Sequence, residues 1–396
     1  MTKLIFIFAF PFVAHASGFE PSIPFGGEAS GTAGIGSPQI QGSQALYYNP
    51  ANLISDKGGR DAAFNYSIGA GIYKGPIDTA KVTSENKILP SGGAFYGQSV
   101  SKNLGWGIGS YVSGGSYANY ENLTITGVNG FPDFKSDLMI YELALGVGYK
   151  LDEKWKVGIA WRIVTAAGGL DSYDAGAGLE TQIYNLKDTK YDGFKLGAHY
   201  DYDKDTQIAL TYRSEEDFKA KGNMNVSTFA GGAPLIVLQD GVTVSAPFPR
   251  AVNLGVVHQC NENWKGLAEY VWTQYSRVTN LGISPDSSAA GTMETQWHDQ
   301  HEIRLGAQYG KEIPLRFGYI WTSQVTDGDH ANPTFPPPGP ISDLTLGTGK
   351  DFAFQESHLR VNGGAEYLWG SGNGTGTSQS YEVTGWGLHV GVQYLF

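Results

Sequence analysis

From Trp386 to Phe396 every second residue is apolar or aromatic (Trp386, Leu388, Val390, Val392, Tyr394, Phe396), and the residues between are mostly small or polar. A period of two is the signature of a strand with one face in an apolar medium and the other turned away from it. The pattern recurs upstream. Met139, Tyr141, Leu143, Leu145, Val147 and Tyr149 share a face with Glu142 opposite, and Trp155, Val157, Ile159, Trp161 and Ile163 share one with Lys156 and Arg162 opposite. Leu315, Phe317, Tyr319 and Trp321 form another. Residues 61–396 read in this way predict fourteen strands. Links after even strands are short, as at 150–154; those after odd strands (75–89, 118–136, 167–190, 225–241, 277–296, 326–341, 370–380) are long and rich in Gly, Pro, Asn and Asp. An even strand count with short turns at one end and long loops at the other is the pattern of a bacterial outer-membrane barrel. The fold class expected is all-β, a 14-stranded antiparallel transmembrane β-barrel.

The N-terminus changes the picture in two ways. Lys3, an apolar run from Leu4 to Val13 and Ala14-His15-Ala16 read as a secretory signal over residues 1–16, with the mature chain starting at Ser17. Residues 17–60 are rich in Gly, Ser, Ala and Pro and do not follow the strand rhythm. They are too long for a disordered tail and too short for a large plug domain, so a compact N-terminal hatch inside the lumen is expected, with the barrel over 61–396. No later stretch approaches the ~18 apolar residues of a helical span, so any crossing is made by strands.

Composition narrows the function. Gly accounts for 55 of 396 residues, Tyr and Trp are plentiful, and only 16% of the chain is charged, which suits tilted strands with aromatic girdles. A net charge of −11 opposes nucleic-acid binding. Cys260 is the only cysteine, so no intrachain disulfide forms. No G-x-S-x-G element is present, and His298 and His301, three apart on a strand, point to opposite faces. Neither an enzyme, a metal site nor a cofactor is expected. Leu235, Ile236, Val237 and Leu238 form an apolar run within a polar external loop, and Leu170, Leu179, Ile183 and Leu186 punctuate another. Exposed apolar patches mark binding surfaces, so these two loops are the expected capture groove. Leu267 and Val271 lie opposite Ala268, Tyr270 and Trp272, giving strand nine two partly apolar faces and the lumen an apolar lining. The third strand carries Gly105, Gly107, Gly109, Gly114 and Gly115, and glycine inside a strand marks bulges or bends. A soluble sandwich, a general diffusion porin and an adhesive barrel are the competing readings.

Several motifs resemble one family in order and spacing. They are Ser17-Gly18-Phe19 at the mature start, Asn49-Pro50-Ala51 after a small-residue segment, Tyr212-Arg213-Ser214, and Trp264 with Tyr270, Trp272, Tyr275 and Ser276. Trp297-His298-Asp299, Leu315-Arg316 with Gly318-Tyr319, and the terminal Phe396 complete the set. The chain is similar over nearly its whole mature length to the outer-membrane long-chain fatty acid and hydrophobic compound transporters (FadL/TodX-like). The resemblance implies a monomeric barrel in the outer membrane of a Gram-negative bacterium, embedded among lipid and lipopolysaccharide, with Phe396 read by the barrel insertion machinery. It implies passive diffusion of hydrophobic small molecules, a hatch positioned by Asn49, Pro50 and Ala51, a lumenal site near Phe19 and Phe25, and lateral release at a kinked third strand. One departure bears on the ligand. Residues 163–186 contain no Lys or Arg, and 277–297 only Arg277. An unpartnered buried carboxylate is costly, so aromatic hydrocarbons or alkanes fit better than a fatty-acid anion, with Arg162, Arg250, Arg304 and Arg316 left as candidate counter-charges.

Overall fold

The computed structural model describes residues 19, 26–54, 59–78, 80–125, 128, 130–174, 177–230, 232–354, 357–376 and 379–396. Residues 1–16, expected to be a signal segment, and Phe25 lie outside them. Fourteen strands follow one another round a closed antiparallel barrel. They are β1 (Gly59–Ile77), β2 (Ala80–Thr83 and Leu89–Ser99), β3 (Leu104–Tyr120), β4 (Phe134–Lys150), β5 (Trp155–Asp174), β6 (Leu179–Asp201) and β7 (Thr206–Arg213 and Glu216–Ala230). Then come β8 (Ala233–Phe248 and Ala251–Gln259), β9 (Trp264–Thr273 and Asn280–Pro285), β10 (Gly291–Glu294 and Gln300–Tyr309), β11 (Leu315–Thr322), β12 (Ile341–Phe354), β13 (Ser357–Asn373) and β14 (Ser380–Leu395).

Closure joins β1 to β14, from Asp61 opposite Leu395 to Lys74 opposite Glu382. The last residue completes the seam: Phe396 N–H donates to the Arg60 carbonyl and Arg60 N–H to the Phe396 carbonyl, both at 2.9 Å. A closed sheet leaves no edge of unpaired backbone groups, the condition for strands to cross lipid. Leu143, Leu145 and Val147 of β4, Ile159 and Trp161 of β5, and Leu388 and Val390 of β14 stay exposed on the outer wall. Their strand neighbours Glu142, Arg162 and His389 are buried within. Apolar outside and polar inside inverts a soluble protein and matches a transmembrane barrel. No described helix is long and apolar enough to cross a membrane, which says nothing of crossing by strands.

Two of the segments read from sequence as loops are strand. Residues 167–190 continue β5 and β6 into a long hairpin, and 225–241 do the same for β7 and β8. The two hairpins pair with each other, Glu180 opposite Ser227 and Ile183 opposite Met224. Their polar composition disguised strands that rise beyond the membrane, where backbone pairing no longer requires an apolar face.

Inside the barrel, residues 26–54 fold as two single-turn helices, α1 (Gly27–Ser30) and α2 (Ala45–Tyr48), and a 3₁₀ turn (Pro50–Leu53). They sit against a floor of glycines. A Cβ at Gly158 would lie 2.3 Å from the Pro50 carbonyl carbon, one at Gly105 2.5 Å from the Leu53 oxygen, and one at Gly197 2.0 Å from Asn49 Oδ1. The hatch therefore packs backbone against backbone on β3 to β6.

Candidate functional site

Asn49 fastens the hatch to the wall. Its Oδ1 accepts from Ala51 N–H at 3.1 Å, capping the 3₁₀ turn in which Pro50 holds the first position. Its Nδ2 donates to the Ser37 carbonyl at 3.2 Å within the hatch and to the Ala198 carbonyl at 3.0 Å on β6. Asn49, Pro50 and Ala51 are all buried. Their bonds join the 3₁₀ turn both to the rest of the hatch and to the wall.

Above the hatch the lumen is charged, contrary to the apolar tunnel expected at β9. The Arg162 guanidinium donates to Glu142 at 2.7 and 2.8 Å and lies 3.5 Å from Glu216. Arg304 reaches Glu302 at 2.5 Å and Glu269 at 3.4 Å. Glu269 also accepts from the Ser37 hydroxyl. A polar cavity runs between Tyr47, Tyr111, Glu142, Lys195, Arg213 and Arg304. Val271 lines it, and Leu267 packs instead with Ala33 and Ile35 of the hatch. The inner positions of a barrel are desolvated only where the plug covers them, and here paired charges fill that layer. The candidate counter-charges are thereby committed: Arg162 and Arg304 to carboxylates, Arg316 to Gln308 and Asn362 at 3.0 and 2.9 Å, and Arg250 to Gln274 at 2.6 Å.

The next layer up is apolar. A cavity of about 920 Å³, counted to its mouth, is lined by Phe19, Leu138, Ile140, Leu170, Leu186, Phe218, Phe248, Leu281, Trp297 and Phe335 among others. Tyr73, Ser116, Ser136, Asp137 and Thr334 are polar residues of its lining, and among the described residues no lysine or arginine lines it. Phe248 divides the layers, facing this cavity while the Arg213 guanidinium, which lines the polar one, stacks 4.4 Å from its ring.

Phe19 ties the cavity to the wall. Its ring sits 5.0 Å from Trp297 and 6.0 Å from Tyr275, and its N–H donates to the Tyr275 hydroxyl at 2.7 Å. Its carbonyl accepts from Gly115 N–H at 2.9 Å. That bond lands where β3 slips register against β4, between Val112 and Gly114. A Cβ at Gly114 would lie 2.3 Å from the Phe19 oxygen. The residue left over at the slip is Ser113, and of the five glycines singled out on this strand Gly114 and Gly115 follow it directly. Gly105, Gly107 and Gly109 lie below it, where added Cβ atoms would meet Leu53, Leu53 and Phe95 respectively.

The geometry is that of a plugged barrel with an apolar chamber at its outer end, and the comparisons agree. The family model described as outer membrane protein transport protein (OMPP1/FadL/TodX) matches residues 26–394. The chain belongs to this family. It is an outer-membrane protein of a family of transport proteins. The long-chain fatty acid transport protein of Escherichia coli O6:H1 is 23% identical over 307 residues, covering 68% of this chain and 67% of that one. The chain spans about half the length of the other curated relatives it matches. A Pseudomonas aeruginosa FadL homologue superposes with a TM-score of 0.82 at 15% identity, over 96% of this chain and all of that one. The Pseudomonas putida toluene transporter TodX does so at 0.76 and 18%, over 95% and 99%. At such identities the structures show the shared fold alone.

The expected capture residues are divided by the structure. Leu170 and Leu186 line the apolar cavity, and Ile183 is buried with Met224 and Val242 in a cluster that also takes Leu170, Leu186 and Leu238. The two hairpins thus pack on each other. Leu235, Ile236 and Val237 stay exposed beyond that cluster, and Leu179 is half-buried at the hairpin end. The sequence reading missed Leu138, Ile140, Phe218, Phe248 and Phe335. A signal was present: Leu138 and Ile140 share the inward face with Glu142, two apolar residues where the lumen pattern calls for polar ones.

Proposed function

We propose that this chain is a passive channel for neutral hydrophobic small molecules, aromatic hydrocarbons or alkanes, which bind in the upper cavity and leave sideways at the β3 bulge. The observation that carries the reading is the apolar cavity with no cation among its described lining residues, bordered below by paired charges. Placing a carboxylate there without a counter-ion is strongly unfavourable, whereas an uncharged ring or chain gains roughly 25 cal/mol per Å² of buried apolar area.

The layering also supports the direction of release. Straight descent carries an apolar molecule from the Phe248 layer into the Arg162–Glu142 layer, where its surface replaces polar partners. The register slip at Val112–Gly114 lies at the same height, between Tyr111 and Ser113 of the polar cavity and Ser116 of the apolar one. A sideways route at this height avoids the Arg162–Glu142 layer. Monomeric action, loop capture and contact with lipopolysaccharide belong to the same proposal.

The second reading is a carrier of long-chain fatty acids, favoured by the names of the sequence relatives. Uptake of labelled toluene and labelled oleate, by cells of a transporter-deficient host with and without this chain, separates the two. Toluene uptake alone is the expected result. Oleate uptake alone would move the assignment to fatty acids, and uptake of neither by a folded barrel would end both.

A further inference from the structure

A second cavity lies against the first, on the other side of the wall. Strand alternation sets the faces: Trp161 and Leu145 point to lipid, so Thr165, Ala167, Gly169 and Asp171 of β5 and Lys135, Asp137 and Met139 of β4 point outward too. Ala166, Gly168, Leu170, Ser136 and Leu138 point inward and line the apolar cavity. On the outward side an open groove, about 1210 Å³ counted to its mouth, is lined by Lys135, Asp137, Asp171, Gln182 and Lys187 among others. The groove and the inner cavity share Asp137, Ala167, Gly168, Gly169 and Leu186. Between them the wall is one backbone thick, and its central residues, Gly168 and Gly169, carry no side chain to either face.

The same place is poorly fastened. Going from the pair Gly168–Leu186 to the pair Leu170–Ile183, β5 advances two residues and β6 three, so Gly169 faces both Tyr184 and Asn185. The other edge of β6 slips as well, between Tyr184 opposite Asn223 and Lys187 opposite Lys221. Asn185 turns through a left-handed backbone conformation at φ 58°. Tyr184–Leu186, whose ladder is broken on both edges, opens locally at low cost compared with the paired strands around it, whereas Gly168 and Gly169 keep their pairing with Leu138 and Asp137 of β4. Below it, exposed Trp161 and Tyr191 mark the top of the outer apolar band. The Lys135–Asp137 ion pair at 2.5 Å and Lys187 place the groove at headgroup level.

We infer that the Gly168–Gly169 segment and the Tyr184–Leu186 bulge form a side window, through which uncharged apolar molecules pass from the lipopolysaccharide layer into the upper cavity. It is distinct from the β3 bulge, two strands away, and gives the channel access from its flank as well as from above. Its use in transport rests on the assignment of the upper cavity as the ligand site; its existence as a passage does not.

The test uses the full chain in liposomes with Cys260→Ser and Leu170→Cys, which sets one thiol on the inner side of the window. The rate at which N-phenylmaleimide modifies that thiol is measured alone and with Lys187→Trp or Ala167→Trp, which cap the groove from outside. Tyr191→Trp, also outward but below the groove, is the control. Heat-modifiable migration on gels shows which variants are folded. A fall of at least fivefold with either capping change, and none with the control, is expected. Rates within twofold of each other in folded variants overturn the window. Toluene uptake is measured on the same proteins. A capping-dependent labelling rate without any uptake leaves the window standing and removes the transport assignment.

Discussion

Replacing Asn49 tests whether the hatch is held by specific bonds or by bulk packing alone. Asn49→Ala removes three hydrogen bonds, to Ala51 N–H at 3.1 Å, to the Ser37 carbonyl at 3.2 Å and to the Ala198 carbonyl at 3.0 Å. Each buried bond contributes about 1 kcal/mol, more where a partner is left unsatisfied. The Ser37 carbonyl keeps a second donor, Asn52 Nδ2 at 3.0 Å, which softens its loss. The fastening lost is then about 2–3 kcal/mol, or a rise of about 30- to 140-fold in the population of hatch-open molecules at 1.4 kcal/mol per tenfold. Asn49→Asp should be worse, although it is the closer shape. It keeps the acceptor for Ala51 but points a carboxylate at two carbonyl oxygens, and like partial charges in a dry site repel. The assay is hydrogen exchange of residues 26–54 in the reconstituted barrel, with ion conductance across a bilayer as the second readout. The expected order of protection is wild type, then Ala, then Asp. Equal exchange in all three would refute the account and assign the hatch's hold to the glycine floor alone.

Three further outcomes are expected. Gly114→Ala forces a methyl group onto the Phe19 carbonyl, 2.3 Å away, and should detach Phe19 from the bulge, changing Trp297 fluorescence and lowering hydrophobe uptake severalfold. Arg162→Ala leaves Glu142 buried without its main partner and should cost ~3–5 kcal/mol, seen as a lower unfolding temperature in detergent, while Arg162→Met with Glu142→Leu should recover most of it. Asp171 lies beyond the membrane, where burial, opposed by Lys135 and reinforced by Asp137 and Glu180, pushes its carboxyl from the ordinary 3.8 up to about 6. Folding therefore favours the protonated form, and the hairpin is at full strength below about pH 4 and loses stability as pH rises through about 6. Intrinsic-rate-corrected hydrogen exchange over 165–190 should be slower at pH 5 than at pH 7, and Asp171→Asn should abolish the difference.

The barrel was legible because lipid imposes a local rule. Every outward position on a crossing strand must be apolar, so a period of two survives in Leu143-Ala144-Leu145-Gly146-Val147 whatever the neighbouring strands contain. Beyond the membrane the rule lapses, and that is where the reading failed: 167–190 and 225–241 looked like loops because hydrogen-bonded hairpins there need no apolar face. At Asn49-Pro50 the capping bond reaches only two residues along the chain and is a local feature, whereas the bond to the Ala198 carbonyl is set by the tertiary fold.

The cavity was not legible, because no local rule defines it. Phe19, Ile140, Phe218, Phe248 and Trp297 come from widely separated segments, and each has an ordinary structural reason to be apolar where it stands. Leu267 and Val271 show the converse: both looked like tunnel lining, and they ended against the hatch and a charged cavity. The sequence by itself determined the strand count, the closure and the plug, because those follow from side-chain alternation and backbone chemistry read residue by residue. Only the tertiary structure decided which inward faces the hatch covers, which charges pair above it, and where pairing slips on β3 and on β5–β6. Those depend on the register between strands, and register is a property of neighbours in space that no single stretch of chain contains.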